Sequence, residues 1–217
     1  MNKAQALLEL RERLLQMPCE GPYGPVFGEG DPDAAVVMIG HSPGGTDAQK
    51  GRPYTGPNGE LFDQLLGEAG LSRQQLYITN LVKCWCFKQQ NGLRVNRYPT
   101  SKEIRQGVLD WLVPELNIIA PRAMVCLGNV AAQHFLGKDF KITQQSGQWL
   151  ELPTDSPYLK LAGAMPQPRP QVMAILQANY LLHLQQHAPE TYADARANLV
   201  ADLIKVKRFM LGGTNPQ

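Results

Sequence analysis

The residues best suited to chemistry in this chain lie in the glycine-rich segment 40–59, which contains His41, Asp47 and Tyr54. The segment has six glycines and three prolines, so its backbone can approach a ligand closely and hold unusual dihedral angles. It is not a phosphate-binding loop, because no Gly-Lys-Ser or Gly-Lys-Thr follows, and it does not match the Gly-x-Gly-x-x-Gly dinucleotide fingerprint. The pattern predicts a loop that binds some other ligand.

Two apolar runs position this segment and a second polar group. Residues 34–39 predict a buried strand directly before the segment, and residues 58–69 have helical spacing after it. Residues 76–82 predict a second strand, and Asn80 lies near its end. The Asn80 amide offers both a donor and an acceptor, although at a strand end it can also act as a cap. Because open α/β sheets bind ligands at the carboxyl ends of their strands, we expect both features at that edge.

The remaining segments alternate between helical and extended patterns. They predict a helix at 3–17 ended by Pro18, loops at 18–33 and 83–100, a helix from Thr100 or Ser101 to Ile119, a strand at 122–127, a short helix to about Leu136, a loop-rich segment at 137–170 with a hairpin around 147–149, a strand at 171–176 and a helix at 189–211. Four apolar strands alternating with helices predict a three-layer α/β/α sandwich with a central four-stranded parallel sheet. We expect one domain over residues 1–217.

The composition excludes several classes of protein. With 43% hydrophobic and 18% charged residues, the chain has globular values, which argue against disorder. Its net charge of +2 gives no global basic field, so any phosphate contacts need a local basic patch. No stretch approaches the roughly 20 apolar residues of a membrane span, and the N-terminus lacks a signal-peptide core. We expect a cytoplasmic protein without membrane contact, and its four cysteines fit a reducing compartment.

Six motifs follow one another in an order that carries a family resemblance. They are Val26–Ala34, Gly40-x-x-Pro43-Gly44, Gly51–Gly56, Tyr77–Cys84, Asn96–Ile104 and Leu127–Ala132. On these motifs the sequence resembles the uracil-DNA glycosylase superfamily, and in particular its family 4, whose members usually carry an iron–sulfur cluster. The likeness spans residues 26–136, with a weaker echo at 146–183.

The resemblance implies a monofunctional DNA glycosylase, which extrudes a nucleotide from DNA and hydrolyses its N-glycosidic bond to leave an abasic site. Tyr54 stands where the family has a stacking aromatic residue, and stacking on a base is worth about 1–3 kcal/mol. Asn80 stands where the family reads the base, and Pro43 and Gly44 complete the implied pocket. Since an amide can flip, Asn80 alone does not choose between uracil and cytosine. The alternative for Tyr54 is an ordinary core residue.

The comparison with the family also implies a changed catalytic set. His41 occupies the place of a glutamate; it lacks the negative charge but can act as a base near pH 7. Asp47, the remaining carboxylate, is expected to activate water or stabilise the sugar cation, the alternative being an Asx turn. The family's His-Pro-Ser motif corresponds to Gln177-Ala178-Asn179. Gln177 or Asn179 is therefore expected to donate a neutral hydrogen bond to the departing base.

The cysteines match the cluster-binding pattern of family 4 only in part. Cys84 matches one ligand position, and Cys19 lies near the usual N-terminal pair. Cys86 is a possible substitute, but Cys126 lies in a predicted buried strand, so four converging thiolates are not expected. We expect no metal, cluster or other cofactor.

DNA is the partner that the resemblance implies, and we expect a monomer. The residues expected to contact phosphates are the basic residues of 83–97, together with Arg52, Lys102 and Arg105, and a solvated polar surface is the alternative. The basic residues of that range are Lys83, Lys88, Arg94 and Arg97. Tyr180 and Leu181 are expected to form a wedge that fills the gap left by the flipped base, for which packing is the alternative.

Three functional hypotheses follow from these patterns. A changed catalytic set in an intact pocket predicts a glycosylase with an altered substrate, such as a damaged or modified pyrimidine, including one in foreign or phage DNA. That activity would serve DNA repair or antiviral defence. The second hypothesis is a catalytically inactive DNA-binding protein that senses lesions or foreign DNA. The third is a nucleotide-binding α/β protein that does not act on DNA.

Overall fold

The computed structural model describes residues 2–165 and 167–212. The strands are β1 (Glu29–Gly30), β2 (Val36–Gly40), β3 (Tyr77–Asn80), β4 (Phe87–Gln90), β5 (Leu93–Asn96), β6 (Ala123–Leu127) and β7 (Gln171–Ile175). The α-helices are α1 (Lys3–Leu15), α2 (Gly45–Lys50), α3 (Gly56–Glu68), α4 (Ser101–Gly107), α5 (Val113–Ile119), α6 (Asn129–Leu136), α7 (Ile142–Gln145), α8 (Pro157–Ala162), α9 (Ala178–His187) and α10 (Pro189–Met210). A 3₁₀ turn covers Arg73–Gln75, and a π-helical stretch, Val108–Leu112, joins α4 to α5.

The central sheet has the strand order β1-β3-β2-β6-β7. Strands β3, β2, β6 and β7 are parallel, as the sequence predicts, and helices cover the sheet, which confirms the predicted fold class. The fifth strand, β1, pairs antiparallel with the outer side of β3 and was not predicted. Its two residues are too few to show any periodicity.

Two apolar layers enclose the sheet, because alternate residues of each strand point to opposite faces. On one face, Val37 and Ile39 of β2 pack in a core that includes residues of α1, α5 and α6. On the other face, Val36 and Met38 pack in a core that includes residues of α3, α9 and α10. Burial on both faces explains why the strands are apolar throughout rather than alternating.

Three segments differ from the sequence-based expectation. Residues 83–100 contain the antiparallel hairpin of β4 and β5, which is separate from the central sheet. The short helix α2 lies within the glycine-rich segment, and α9 lies between the strand and the helix predicted at 171–176 and 189–211, where no element was predicted. The expected hairpin around 147–149 is replaced by an isolated antiparallel bridge between Leu150 and Val172.

None of the helices in the described part of the chain is both long enough and apolar enough to cross a bilayer.

Candidate active site

A cavity of about 420 Å³ opens at the carboxyl edge of the sheet. His41 directly follows β2, and Gln177 comes two residues after β7, so the parallel strands bring their loops to the same edge. The predicted site residues in its wall are His41, Pro43, Gly44, Asp47, Tyr54, Arg97, Gln177 and Asn179. The position agrees with the general rule for ligand binding in open parallel sheets.

Tyr54 and Asn80 meet at the end of β2. A side chain at Gly40 would overlap both with the Tyr54 hydroxyl and with Oδ1 of Asn80, so only glycine permits their close approach. Tyr54 lines the cavity, whereas Asn80 is 3% exposed and lies just behind the wall. Burial raises the pKa of the Tyr54 phenol, and the charge of Asp47 raises it further, so the hydroxyl remains a hydrogen-bond donor.

The backbone of Tyr54 is held in a conformation that side-chain-bearing residues rarely adopt. Its φ angle is +54°, in the left-handed region. Arg73 donates hydrogen bonds to the carbonyl of Tyr54 and, at 3.0 Å, to that of Pro53. Arg73 is itself paired with Glu29 at 2.8 Å. These contacts hold the aromatic ring in the cavity wall.

A buried ion pair supports Asn80 from below. Lys83 donates to the Asn80 carbonyl at 3.1 Å, to the Thr79 hydroxyl at 2.6 Å and to Glu115. Glu115 also accepts from the Thr79 hydroxyl at 2.9 Å and from the Tyr77 hydroxyl at 3.1 Å. Burial lowers the pKa of Lys83, an effect that Glu115 opposes. The prediction that Lys83 contacts phosphate is wrong, because the pair is fully buried.

Asp47 joins the two ends of its loop through three hydrogen bonds. Its Oδ1 accepts from the Thr55 amide at 2.7 Å and from the Thr55 hydroxyl at 2.8 Å. Its Oδ2 accepts from the Gly44 amide at 2.9 Å, at the start of α2. Gly44, Asp47 and Thr55 all line the cavity, so the Asp47 carboxylate links two other residues of the cavity wall.

His41 is the histidine in the cavity wall. Its Nδ1 lies 2.8 Å from Oγ of Ser42, and its ring packs edge-on against Tyr98 at 5.3 Å between centroids. Burial lowers the pKa of His41 below the ordinary value of 6.5, so the ring is neutral at pH 7. When Nδ1 donates to Ser42, Nε2 is an acceptor that can take a proton from water.

Gln177 and Asn179 also line the cavity. Gln177 donates from Nε2 to the Leu127 carbonyl at 2.6 Å, which leaves the second N–H of its amide for a ligand. Its side chain lies against Gly128, whose φ of +91° and close approach both exclude a side chain. Asn179 is exposed in the first turn of α9.

Comparison with known proteins identifies the family. The model of the family described as "Uracil DNA glycosylase superfamily" matches residues 27–195. The chain belongs to this superfamily. It is 40% identical over 108 residues to the type-4 uracil-DNA glycosylase of Archaeoglobus fulgidus, covering 50% of each protein. It is also similar to the type-4 enzyme of Thermotoga maritima, at 37% identity over 129 residues, or 58% of this chain and 63% of the relative.

A type-5 uracil-DNA glycosylase of Thermus thermophilus is 32% identical over 127 residues, covering 52% of this chain and 54% of that protein. The chain thus spans about half to three-fifths of the length of these three relatives. The predicted resemblance to the superfamily, and to type-4 enzymes within it, is confirmed.

The cysteines of this superfamily member do not fit the four-thiolate cluster that the family-4 resemblance implies. Cys19 and Cys84 are joined in a disulfide, so these two are paired rather than reduced as expected. Cys86, two residues after Cys84, is buried, and Cys126 is buried within β6. Across residues 2–165 and 167–212, no group of three or more His, Cys, Asp or Glu side chains is arranged to hold a metal ion.

Three further residues of the site have no role in the sequence-based prediction. Asn58 lies in the cavity wall, and its Oδ1 is buried without a hydrogen-bond partner among the described residues. Asn96 also lies in the wall, and its Oδ1 accepts from Nε1 of Trp85 at 2.7 Å. Tyr98 is 70% exposed at the rim. Asn96 belongs to one of the motifs shared with the family, and that membership was the available signal.

The predicted phosphate-binding residues differ in how available they are. Lys102 is exposed on α4. Arg52 is exposed but paired with Glu29 at 2.8 Å. Arg97 forms a two-point contact with Glu103 at 2.7 and 2.8 Å, which lowers the pKa of that carboxyl to about 2. Arg97 therefore has less freedom to bind DNA than Lys102.

Of the two residues predicted to form a wedge that enters the DNA, only one is exposed. Tyr180 is 43% exposed near the start of α9 and remains a candidate. Leu181 is fully buried in the core beneath α9, so the prediction that it inserts into DNA is wrong. On a helix, the adjacent residue points about 100° away, which places the two side chains on different faces.

Proposed function

We propose that this protein is a DNA glycosylase that flips a base into the 420 Å³ cavity and hydrolyses its N-glycosidic bond. The observation that carries the proposal is the convergence of Tyr54, Asn80 and His41 at one point of the sheet edge. Excision of an extruded nucleobase requires an aromatic face for stacking, a group that both donates and accepts hydrogen bonds, and a proton acceptor for water. Tyr54, Asn80 and the neutral imidazole of His41 are such groups.

The base is held by stacking and by amide groups. Tyr54 supplies the stacking face, worth about 1–3 kcal/mol for each base. Asn80 forms hydrogen bonds with the edge of the base when the base lies at the end of β2. The unpartnered Oδ1 of Asn58 adds an acceptor in the same wall, which favours a base that carries an N–H or O–H donor. Pro43 and Gly44 shape the entrance.

Hydrolysis then transfers one water molecule across the N-glycosidic bond. Nε2 of His41 takes a proton from water, and the water oxygen bonds to C1′ of the sugar. The C1′–N bond breaks, its electron pair leaves with the base, and the negative charge of Asp47 stabilises the cationic sugar. The remaining N–H of Gln177, or the amide of Asn179, donates a hydrogen bond to the departing base.

The substrate of this reaction is a damaged or modified pyrimidine. The choice of a pyrimidine is supported by the relatives named for uracil, and the amide groups in the cavity wall can form hydrogen bonds with its edge. Modified pyrimidines occur both as lesions and in foreign DNA, including phage DNA, so the activity serves repair or defence. The type-4 relatives are named for uracil, which makes uracil the reference substrate.

A second candidate function is DNA binding without catalysis, as a sensor of lesions or foreign DNA. The hydrogen bonds of Asp47 favour this candidate, because its carboxylate already serves three protein donors. In that case, the cavity would bind a flipped base but would not cleave it.

Base release by the purified protein tests the proposal. Duplex DNAs containing uracil, hypoxanthine or modified cytosines are incubated with wild-type protein and with His41→Gln, and the released bases are identified by mass spectrometry. We expect free base and alkali-labile sites from at least one substrate, and a loss of both in the variant. DNA binding with no base released from any substrate would support the sensor instead.

A further inference from the structure

The β4–β5 hairpin stands beside the cavity mouth, in a segment for which the sequence predicts a polar loop with basic residues. Its turn, Asn91–Gly92, has φ angles of +52° and +76°, as a two-residue type I′ turn requires. The hairpin is fixed at its base, where Nε of Arg97 donates to the Phe87 carbonyl at 2.9 Å. The ring of Trp85 packs on Phe87 with 4.8 Å between centroids. The arm is therefore anchored at its base and solvated at its tip.

The exposed part of the hairpin is basic. Residues 88–94 are all exposed, and the charged residues of segment 87–96 are Lys88 and Arg94, with no acidic residue. The guanidinium of Arg94 lies over the Phe87 ring at 5.4 Å from its centroid. Neither cation forms an ion pair within the described residues, in contrast to Arg52 and Arg97. The arm therefore offers two positive charges that no carboxylate of the described chain neutralises.

The hairpin is continuous with the cavity. Asn96, at the end of β5, is in the cavity wall, and Arg94 lies on the same face of the strand because side chains alternate. At about 3.4 Å per residue, Arg94 is about 7 Å further from the cavity. Leu93 lies at the tip on the opposite face and is 69% exposed. A DNA strand with one nucleotide flipped into the cavity would pass along this hairpin.

We propose that the β4–β5 hairpin is a DNA-contacting arm. In this arm, Arg94 binds a phosphate next to the flipped nucleotide, and Leu93 packs against the bases or sugars of the duplex. The inference rests on the proposed function, since it takes the cavity to be the destination of a flipped base.

Binding to a duplex that contains a stable abasic-site analogue tests the arm. The variants are Leu93→Ala and Arg94→Gln. The matched controls are Leu211→Ala and Arg208→Gln, at the end of α10. The Met210 carbonyl accepts from Arg122, which directly precedes β6, so this end of α10 lies at the edge of the sheet opposite to the cavity. All four positions are exposed, and circular dichroism checks that each variant is folded. Fluorescence anisotropy gives Kd as a function of salt concentration.

The two arm residues should give different signatures. Arg94→Gln is expected to weaken binding and to reduce the slope of log K against log salt by about 0.9, the value for one lost phosphate contact. Leu93→Ala is expected to weaken binding about tenfold, or about 1.4 kcal/mol, without changing the slope. The controls should bind as the wild type does.

The possible outcomes distinguish a failure of the arm proposal from a failure of the proposed function. DNA binding by the wild type, with arm variants that behave like their controls, would overturn the arm and leave the glycosylase proposal intact. A wild-type protein that binds no DNA at low salt would overturn both. An unchanged salt slope for Arg94→Gln would overturn the phosphate assignment.

Discussion

Substitution of Asp47 separates a loop-holding role from a chemical one. The carboxylate accepts two hydrogen bonds from Thr55 and one from Gly44. In Asp47→Asn, the Oδ1 acceptor is kept, but an NH₂ group faces the Gly44 amide, donor against donor. One hydrogen bond to a charged acceptor is lost, which costs about 1.5–3 kcal/mol of the free energy of unfolding. Asp47→Ala removes the acceptor for all three donors and should cost more.

The assay measures stability and chemistry on the same proteins. Denaturant unfolding gives the free energy, and for a domain of this size each kcal/mol corresponds to about 2–4 °C in Tm. Single-turnover base release gives the rate of the chemical step. Asp110→Asn, at an exposed position, is the matched control and should shift stability by less than about 0.5 kcal/mol. Asp47→Asn should lose stability and should keep the pH dependence of the wild type, because His41 carries the proton.

A different result would refute this reasoning. If Asp47→Asn unfolded at the wild-type denaturant concentration and its base release no longer showed the acid limb of the wild-type pH profile, the carboxylate would act as the acid–base group. The acid limb of the pH profile would then belong to Asp47 rather than to His41.

Three further predictions concern other groups of the site. His41→Gln should slow base release by about 10²–10⁴-fold, and the acid limb of the wild-type profile should lie below pH 6.5, because burial lowers the pKa of His41 and protonation removes the base; a limb above 6.5 would contradict this. Lys83→Met should cost about 3–5 kcal/mol of unfolding free energy by leaving Glu115 buried and unpaired, and the added change Glu115→Gln, which removes the charge but keeps an acceptor for the Tyr77 hydroxyl, should restore part of it in denaturant unfolding; a double variant as unstable as the single one would count against the buried pair. Asn58→Ala should leave stability unchanged or raise it by about 1 kcal/mol, because its Oδ1 has no partner in the described chain, while kcat/KM falls about tenfold; a stability loss would instead indicate a structural role.

Much of the fold could be predicted because its strands are buried on both faces. Parallel strands covered by helices are apolar throughout, which is visible in the sequence without any knowledge of their partners. The glycine-rich segment could be placed at the carboxyl edge for the same reason. The short helix α2 was missed because its six residues, ending before Gly51 at φ +65°, show no amphipathic pattern.

The hairpin was missed although its turn has a strong local signal. Asn91-Gly92 is typical of a type I′ turn, but the flanking strands are mostly exposed and polar, so they lack the apolar alternation that identifies strands. The role of Lys83 could not be predicted, because its partner Glu115 is 32 residues away and meets it only in the folded chain. The resemblance implies Tyr54 and Asn80 in one pocket, but their close approach could not be predicted, because it depends on the absence of a side chain at Gly40 in the folded chain.

The most direct test of the central claim is the mass balance of base release. Wild-type protein and His41→Gln are incubated with the panel of DNAs, and both the free base and the abasic sites are counted. We predict one free base for each abasic site on at least one substrate with the wild type, and a rate about 10²–10⁴-fold lower in the variant. Tight DNA binding with no free base from any substrate would contradict it.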